Sequence, residues 1–293
     1  WIGVVLLGLV TSLPEAGSSL YAAAVLSADD LAVGNMAGSN NFNLLLIVFL
    51  DIVYRKGAVT NLVTYHKAHF LSAAFALALA GTAALEIGLS RVMPLPEIFG
   101  VSVGSVTIAC LYFLGMRKIY VSNPGQGPAA EDRQSLPSLR IIYLGLALSA
   151  AGVVIGAVLL AHSADILAQE TGLGGTFVGS LFLAAATSLP ELVVTVSALK
   201  MGQVDLAVGN IFGSNMVNMF LLAVCDPFAR GRALLQQVST AHVVTIAAGF
   251  LMTWIVVQGL KQNTKRKFLN IGWDSWMILA VYVLGIVVLY GIR

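Results

Sequence analysis

The sequence predicts an all-α polytopic membrane protein made of two inverted-topology repeats, with nine transmembrane helices present of an inferred ten. Three observations carry that prediction. Of 293 residues, 58% are hydrophobic and only 10% charged, with a mean hydropathy of +0.89, whereas soluble domains carry roughly 25% charged residues. Nine apolar stretches approach the ~20 residues that a helix needs to cross a bilayer. The pentapeptide Thr11-Ser12-Leu13-Pro14-Glu15 recurs as Thr187-Ser188-Leu189-Pro190-Glu191. The same composition excludes a soluble globule, a disordered chain and, with two cysteines, a disulfide-stapled scaffold. A net charge of +2 makes no case for nucleic acid. Cys110 and Cys225 sit in apolar runs and read as small packed hydrophobes.

In chain order, the spans fall at about 1–27, 31–53, 67–89, 97–116, 140–165, 174–199, 205–226, 236–259 and 274–292. The first carries TSLPE and opens without a charged leader, so no signal peptide is recognised. The second starts at Asp29 and Asp30, whose carboxylates complement a helix dipole; Asp205 does the same for the seventh. The third and fourth are plain apolar runs. Residues 121–139, rich in Pro, Gly and Ser, read as a flexible linker. The fifth span precedes the second TSLPE helix, the sixth, and has no counterpart ahead of the first. That gap is the ground for inferring a tenth helix, missing at the N-terminus. The last two are flanked by Trp254, Trp273 and Trp276, which read as interfacial belt residues.

The duplication extends beyond the pentapeptide. Asp30-Leu31-Ala32-Val33-Gly34-Asn35 recurs as Asp205-Leu206-Ala207-Val208-Gly209-Asn210, Gly38-Ser39-Asn40 as Gly213-Ser214-Asn215, and Asn43 as Asn218. The TSLPE helices lie five spans apart, an odd number, so they cross the bilayer in opposite senses. Inverted repeats of this kind place a transporter's site at the midplane between them. Residues 1–120 and 140–293 are thus the two repeats. Of the 16 Lys and Arg, twelve fall on one side of the nine-span layout, and Arg91, Arg230, Arg232 and Arg293 on the other. The positive-inside rule makes the first side, with linker 121–139, cytoplasmic. Lys265-Arg266-Lys267 marks that side, with weak anionic-lipid binding as a sharper reading.

Glu15 and Glu191 stand out as acids deep in long apolar spans, where a carboxylate costs roughly 2.5–3.5 kcal/mol on insertion scales. No Lys or Arg lies within eight residues of either, so a bound cation is the economical compensation. Pro14 and Pro190 lack an N–H, which frees the carbonyls of Val10 and Ala186 and breaks each helix. At membrane depth such breaks are tolerated where they line a cavity. Freed carbonyls, the hydroxyls of Thr11, Ser12, Thr187 and Ser188, and two carboxylates form an all-oxygen set suited to Ca²⁺ or Na⁺. Asn35, Ser39 and Asn43 form an i, i+4, i+8 stripe, repeated by Asn210, Ser214 and Asn218 and read as facing the two Glu residues. Gly34/Gly38 and Gly209/Gly213 are small-x-x-x-small pairs that allow close helix approach.

At these residues the chain resembles the sodium/calcium exchangers of the calcium/cation antiporter superfamily, through TSLPE twice, GSNNFN at 38–43 and GSNMVN at 213–218. The resemblance implies one Ca²⁺ position shared by Glu15, Glu191 and the carbonyls of Thr11 and Thr187. It implies Na⁺ positions at Gly8, Ser12 and Ser39 and at Ala184, Ser188 and Ser214, with a middle position lined by Asn43 and Asn218. Many such exchangers carry Asp where this chain has Asn218. Two carboxylates balance one Ca²⁺ or two Na⁺, which leaves Na⁺ or H⁺ as the counter-ion.

Other residues read as structural. His66, His69, His162 and His242 fall near span ends as interfacial histidines. Asp51/Arg55 and Asp226/Arg230 have the i, i+4 spacing of ion pairs. The function expected is a secondary antiporter exchanging Ca²⁺ for Na⁺ by alternating access, with H⁺/Ca²⁺ exchange as the alternative. An intramembrane hydrolase fits less well because two near-identical Glu settings give no separated acid and base roles, and a channel because it would not need inverted switching machinery. No enzyme activity, cofactor or nucleic-acid partner is expected. The expected setting is a prokaryotic-type plasma membrane, with a monomer as the working unit.

Overall fold

A computed structural model describes residues 8–98, 100–122, 139–230, 233–262 and 267–292. Linker residues 123–138, Arg232, Arg293, Lys265 and Arg266 lie outside the described residues, as do residues 1–7 of the first expected span. Residues 8–11 are helical, the helix breaks at Ser12, and α1 (Leu13–Tyr21) runs into a π turn at Ala22–Leu26. Ser27, at φ 55°, ends it. Then follow α2 (Asp29–Tyr54) and, after a 3₁₀ turn at Val59–Leu62, α3 (His66–Leu89). Strands β1 (Glu97–Ile98) and β2 (Val101–Ser102) form a short antiparallel hairpin ahead of α4 (Val103–Val121).

The second half opens with α5 (Leu139–Thr171). A broken helix follows: α6 (Gly175–Val178), a π turn at Gly179–Leu183, α7 (Ala184–Thr187), a break at Ser188 and α8 (Leu189–Lys200). The chain continues through α9 (Val204–Cys225), a 3₁₀ turn at Asp226–Phe228, α10 (Leu234–Gln237) and α11 (Ala241–Gln262). A hairpin of β3 (Lys267–Phe268) with β4 (Ile271–Gly272) leads into α12 (Trp273–Gly291). Among the described residues, six helices are long and apolar enough to span a membrane, or seven if the pair bent by 45° at Ser188 counts as one span. The chain is an integral, multi-pass membrane protein. The fourth expected span, 97–116, begins instead as the β1–β2 hairpin. Pro94 and Pro96 precede it, Gly100 at φ +79° turns it, and the Ser102 hydroxyl caps α4 by accepting from Ser105 N–H at 2.9 Å.

Helices α2 and α9, which carry the Asn/Ser stripes, are the axis of the molecule. They are 72% and 78% buried over their apolar windows, against 17% for α5 and α12. Small residues allow that crowding. A Cβ on Gly38 would collide with the Ser180 backbone, and one on Gly34 would sit 3.0 Å from the Thr176 carbonyl. The small-x-x-x-small spacing of α2 thus receives the backbone of α6 and of the π turn that follows it.

The ends of both axial helices differ from the ion pairs expected there. Among the described residues, neither Asp51 nor Asp226 pairs with its i+4 arginine; the ion pairs found are His–Asp. Asp51 is fully buried and accepts from Val59 N–H (2.7 Å), Gly272 N–H (2.8 Å) and the Ser275 hydroxyl (2.8 Å). Asp226 accepts from Leu234 N–H (2.5 Å) and Ser102 N–H (2.8 Å). The reason is geometric. Arg55 takes the left-handed cap at φ 57° and turns to the exterior, while each hairpin end brings orphan N–H groups to the carboxylate. Asp274 and Glu86 are buried beside these corners, accepting from Thr60 (2.7 Å) and Gln236 (3.2 Å), so Glu15 and Glu191 are not the only buried acids. Of the four histidines, His69 and His242 are fully buried, not interfacial. His69 Nε2 lies 3.0 Å from Asp205 and His242 Nε2 3.0 Å from Asp30, so each half's histidine holds the first turn of the other half's axial helix. Cys225 is packed as expected, whereas Cys110 is exposed on α4.

Candidate ion-binding site

Both TSLPE motifs break their helix in the same way. Ser12 sits at φ −85°, ψ 11° and Ser188 at φ −85°, ψ 10°, each leaving its proline at the second position of the following helix. This is the sparsely populated bridge region, within the stretch where the proline ring clashes with the carbonyl four residues earlier and leaves it without an N–H partner. The break lies two residues before the proline.

The breaks bring the two motifs into one buried web. Ser12 Oγ donates to Glu191 Oε1 at 3.1 Å, and Ser188 Oγ donates to Glu15 Oε1 at 2.9 Å, a reciprocal exchange across the halves. Ser39 on α2 reaches Glu15 Oε1 (3.4 Å), the Ala184 carbonyl (3.5 Å) and Thr187 Oγ1 (3.5 Å). On the other side Thr11 Oγ1 meets Ser214 Oγ at 3.3 Å and donates to the Gly8 carbonyl at 3.2 Å. A Cβ on Gly8 would lie 3.3 Å from Ser214 N, so the absence of a side chain at Gly8 matters. Both Glu side chains are fully buried, yet Oε2 of each has no hydrogen-bond partner. A buried acceptor left unsatisfied costs about 1–3 kcal/mol, more when charged.

Ten of the twelve expected site residues enter this web: Gly8, Thr11, Ser12, Glu15, Ser39, Ala184, Thr187, Ser188, Glu191 and Ser214. Asn43 and Asn218 are fully buried but make no hydrogen bond to this web, and only Asn43 joins a separate amide cluster. Asn43 Nδ2 donates to Asn215 Oδ1 at 3.0 Å, Asn215 Nδ2 donates to the Asn40 carbonyl at 3.3 Å, and Asn218 has no partner at either amide atom. Asn40 and Asn215 lie one position off the i, i+4 stripe, which is why helical spacing alone passes over them. The stripe faces the Glu residues only in part. Asn35 bonds Ser18 and Ser19 (2.9 Å each) and accepts from Thr187 Oγ1 at 3.0 Å, while Asn210 bonds Thr195 at 3.2 Å. These asparagines position the broken helices rather than touch the carboxylates. Every donor atom of the web that could face a cation is an oxygen, the chemistry that Na⁺ and Ca²⁺ select.

Comparison with known proteins points to one family. A family model described as sodium/calcium exchanger protein matches residues 1–116 and 141–291. The inner membrane protein YrbG of Escherichia coli (strain K12) is 30% identical over 229 residues, which cover 75% of this chain and 66%, just under two thirds, of YrbG. Among solved structures, the sodium-calcium exchanger NCX_Mj superposes with a TM-score of 0.62 at 23% identity, covering 98% of this chain and 85% of its own. The H⁺/Ca²⁺ exchanger CAX gives the same TM-score of 0.62 at 15% identity, covering 98% and 79%. At such identities these two likenesses speak for a shared fold. The family match, which takes in both halves and both TSLPE helices, carries the assignment: the chain belongs to the sodium/calcium exchanger family.

Proposed function

We propose that this chain is the core of a secondary antiporter that exchanges Ca²⁺ for Na⁺ by alternating access, with residues 1–120 and 140–293 as inverted repeats joined by a cytoplasmic linker at 121–139. In this reading Ca²⁺ is shared by Glu15, Glu191 and the carbonyls of Thr11 and Thr187. Na⁺ takes the flanking positions formed by Gly8, Ser12 and Ser39 and by Ala184, Ser188 and Ser214, and Asn43 with Asn218 line the middle. The observation that carries it is the pair of fully buried carboxylates, tied together by reciprocal Ser–Glu bonds and each keeping one oxygen without a partner. The equal dihedrals at Ser12 and Ser188 and the matching Asp51 and Asp226 corners support duplicated halves.

Competition is the mechanism. Two carboxylates carry a charge of −2 when ionised, which one Ca²⁺ or two Na⁺ neutralise, so full occupancy by both is excluded. An uncompensated site is too costly to occlude in a low-dielectric interior, so the halves exchange conformations only when loaded. In proteoliposomes, an outwardly or inwardly directed Na⁺ gradient at clamped pH should drive Ca²⁺ against its own gradient. Glu15→Gln or Glu191→Gln should reduce that flux to the background of empty vesicles. Wild-type uptake in either variant would refute the shared site.

One observation favours a second reading, H⁺/Ca²⁺ exchange. Asn218 leaves only two acids at the site, and each can be neutralised by a proton without any Na⁺ position. Ca²⁺ uptake driven by a pH gradient in Na⁺-free medium, and indifferent to Na⁺, would select it.

A further inference from the structure

We propose that the groove between α3 and α4 is a binding site for an anionic glycerophospholipid, distinct from the ion site. The groove has a volume of about 700 Å³ and opens at the end of the bundle where α3 begins and α4 finishes. Its inner wall is apolar, formed by Phe70, Leu71 and Ala74 from α3 and by Leu114 and Val121 from α4. Its rim is cationic. Lys67 stands on one lip, Arg117 and Lys118 on the other, and no acidic side chain contributes to the lining.

Two further features argue that this rim is more than the ordinary basic flank of a membrane helix. Among the described residues none of the three cations has a carboxylate within ion-pairing distance, since the ion pairs found are both His–Asp. A fourth cation lies nearby: Lys261 Nζ is 5.7 Å from the centroid of Phe70, itself a lining residue. Three positive charges therefore rim one apolar cleft, with a fourth on the aromatic ring of its wall. From Lys67 to Ala74 the wall runs about 10 Å along the helix. That depth suits a glycerol backbone and the first carbons of an acyl chain. A phosphodiester would then sit among Lys67, Arg117 and Lys118, where each nearby Lys or Arg adds to anionic-lipid attraction. An amphipathic anion satisfies wall and rim together; a free phosphate satisfies the rim alone, and a neutral lipid the wall alone. The loop charges place this opening on the cytoplasmic side, the leaflet in which such pockets recur.

The test uses the full chain in detergent, with phosphatidylglycerol, phosphatidylcholine and inorganic phosphate as probes. Native mass spectrometry should retain phosphatidylglycerol adducts, and thermal unfolding should shift upward with that lipid but with neither other probe. Joint Lys67→Ala, Arg117→Ala and Lys118→Ala substitution should weaken retention about tenfold or more. Leu114→Trp, which fills the cleft and keeps every charge, should do likewise if the acyl wall matters. Lys56→Ala with Lys200→Ala removes two other cations of the same side and should leave retention unchanged. Equal retention of phosphatidylcholine, an equal shift with phosphate, an effect of the Lys56/Lys200 control as large as that of the rim, or unaltered binding in both groove variants would each overturn the proposal.

Discussion

The acids of this chain fall into two kinds, told apart by what their oxygens touch. Asp51 and Asp226 are saturated by backbone N–H and hydroxyl donors, whereas Glu15 and Glu191 each keep an oxygen without a partner, as Asp274 and Glu86 do, but lie together in one web of hydroxyls from both halves. The first arrangement fastens a fold; paired acids with free oxygens in a shared hydroxyl web suit a cation. Asn218, buried with both amide atoms unengaged, stands where a third charge would alter the balance. Asn218→Asp should change apparent Ca²⁺ affinity about tenfold or alter the Na⁺ coupling, read from Ca²⁺ uptake at stepped Na⁺ concentrations. Unchanged values on both counts would remove Asn218 from the ion path. Glu15 and Glu191 were legible in the sequence because a carboxylate inside an apolar run has no local partner. Asp274 and Glu86 were not, since their partners, Thr60 and Gln236, lie 214 and 150 residues away.

Helix breaks and helix packing were legible from local chemistry, and helix ends were not. A proline beside a carboxylate announced each interruption, and the Gly34/Gly38 spacing announced a close neighbour, which α6 and the π turn after it supply. By contrast, the i, i+4 spacing of Asp51 with Arg55 suggested a pair that the left-handed cap at Arg55 forbids. The hairpin that ends at Gly272 arrives from far along the chain to take the aspartate instead. Asp51→Ala should therefore cost about 3–5 kcal/mol, since it strands three buried donors. Arg55→Ala, at an exposed cap, should stay within about 0.5 kcal/mol. Chemical unfolding of the two variants side by side checks both values, and equal costs would restore the ion pair.

Across the whole molecule, the apolar runs anticipated α2, α3, α9 and α12 to within two residues, whereas α4 starts behind the β1–β2 hairpin, α5 runs on to Thr171, and the eighth expected span opens as the separate short helix α10. What periodicity could not supply was the pairing between halves. His69 with Asp205 and His242 with Asp30 stitch each half to the other, and nothing in either local sequence points across such a distance. The orphan Glu oxygens carry a thermodynamic consequence of their own. A metal that satisfies them binds the native chain and not the unfolded one, so mass action ties ligand concentration to heat resistance. At a hundred times its dissociation constant, Ca²⁺ should add about 2.7 kcal/mol to folding, and the melting temperature should climb with each further decade of the ion. In Glu15→Gln that climb should flatten, which makes a simple melting curve a gauge of site occupancy in the absence of any transport.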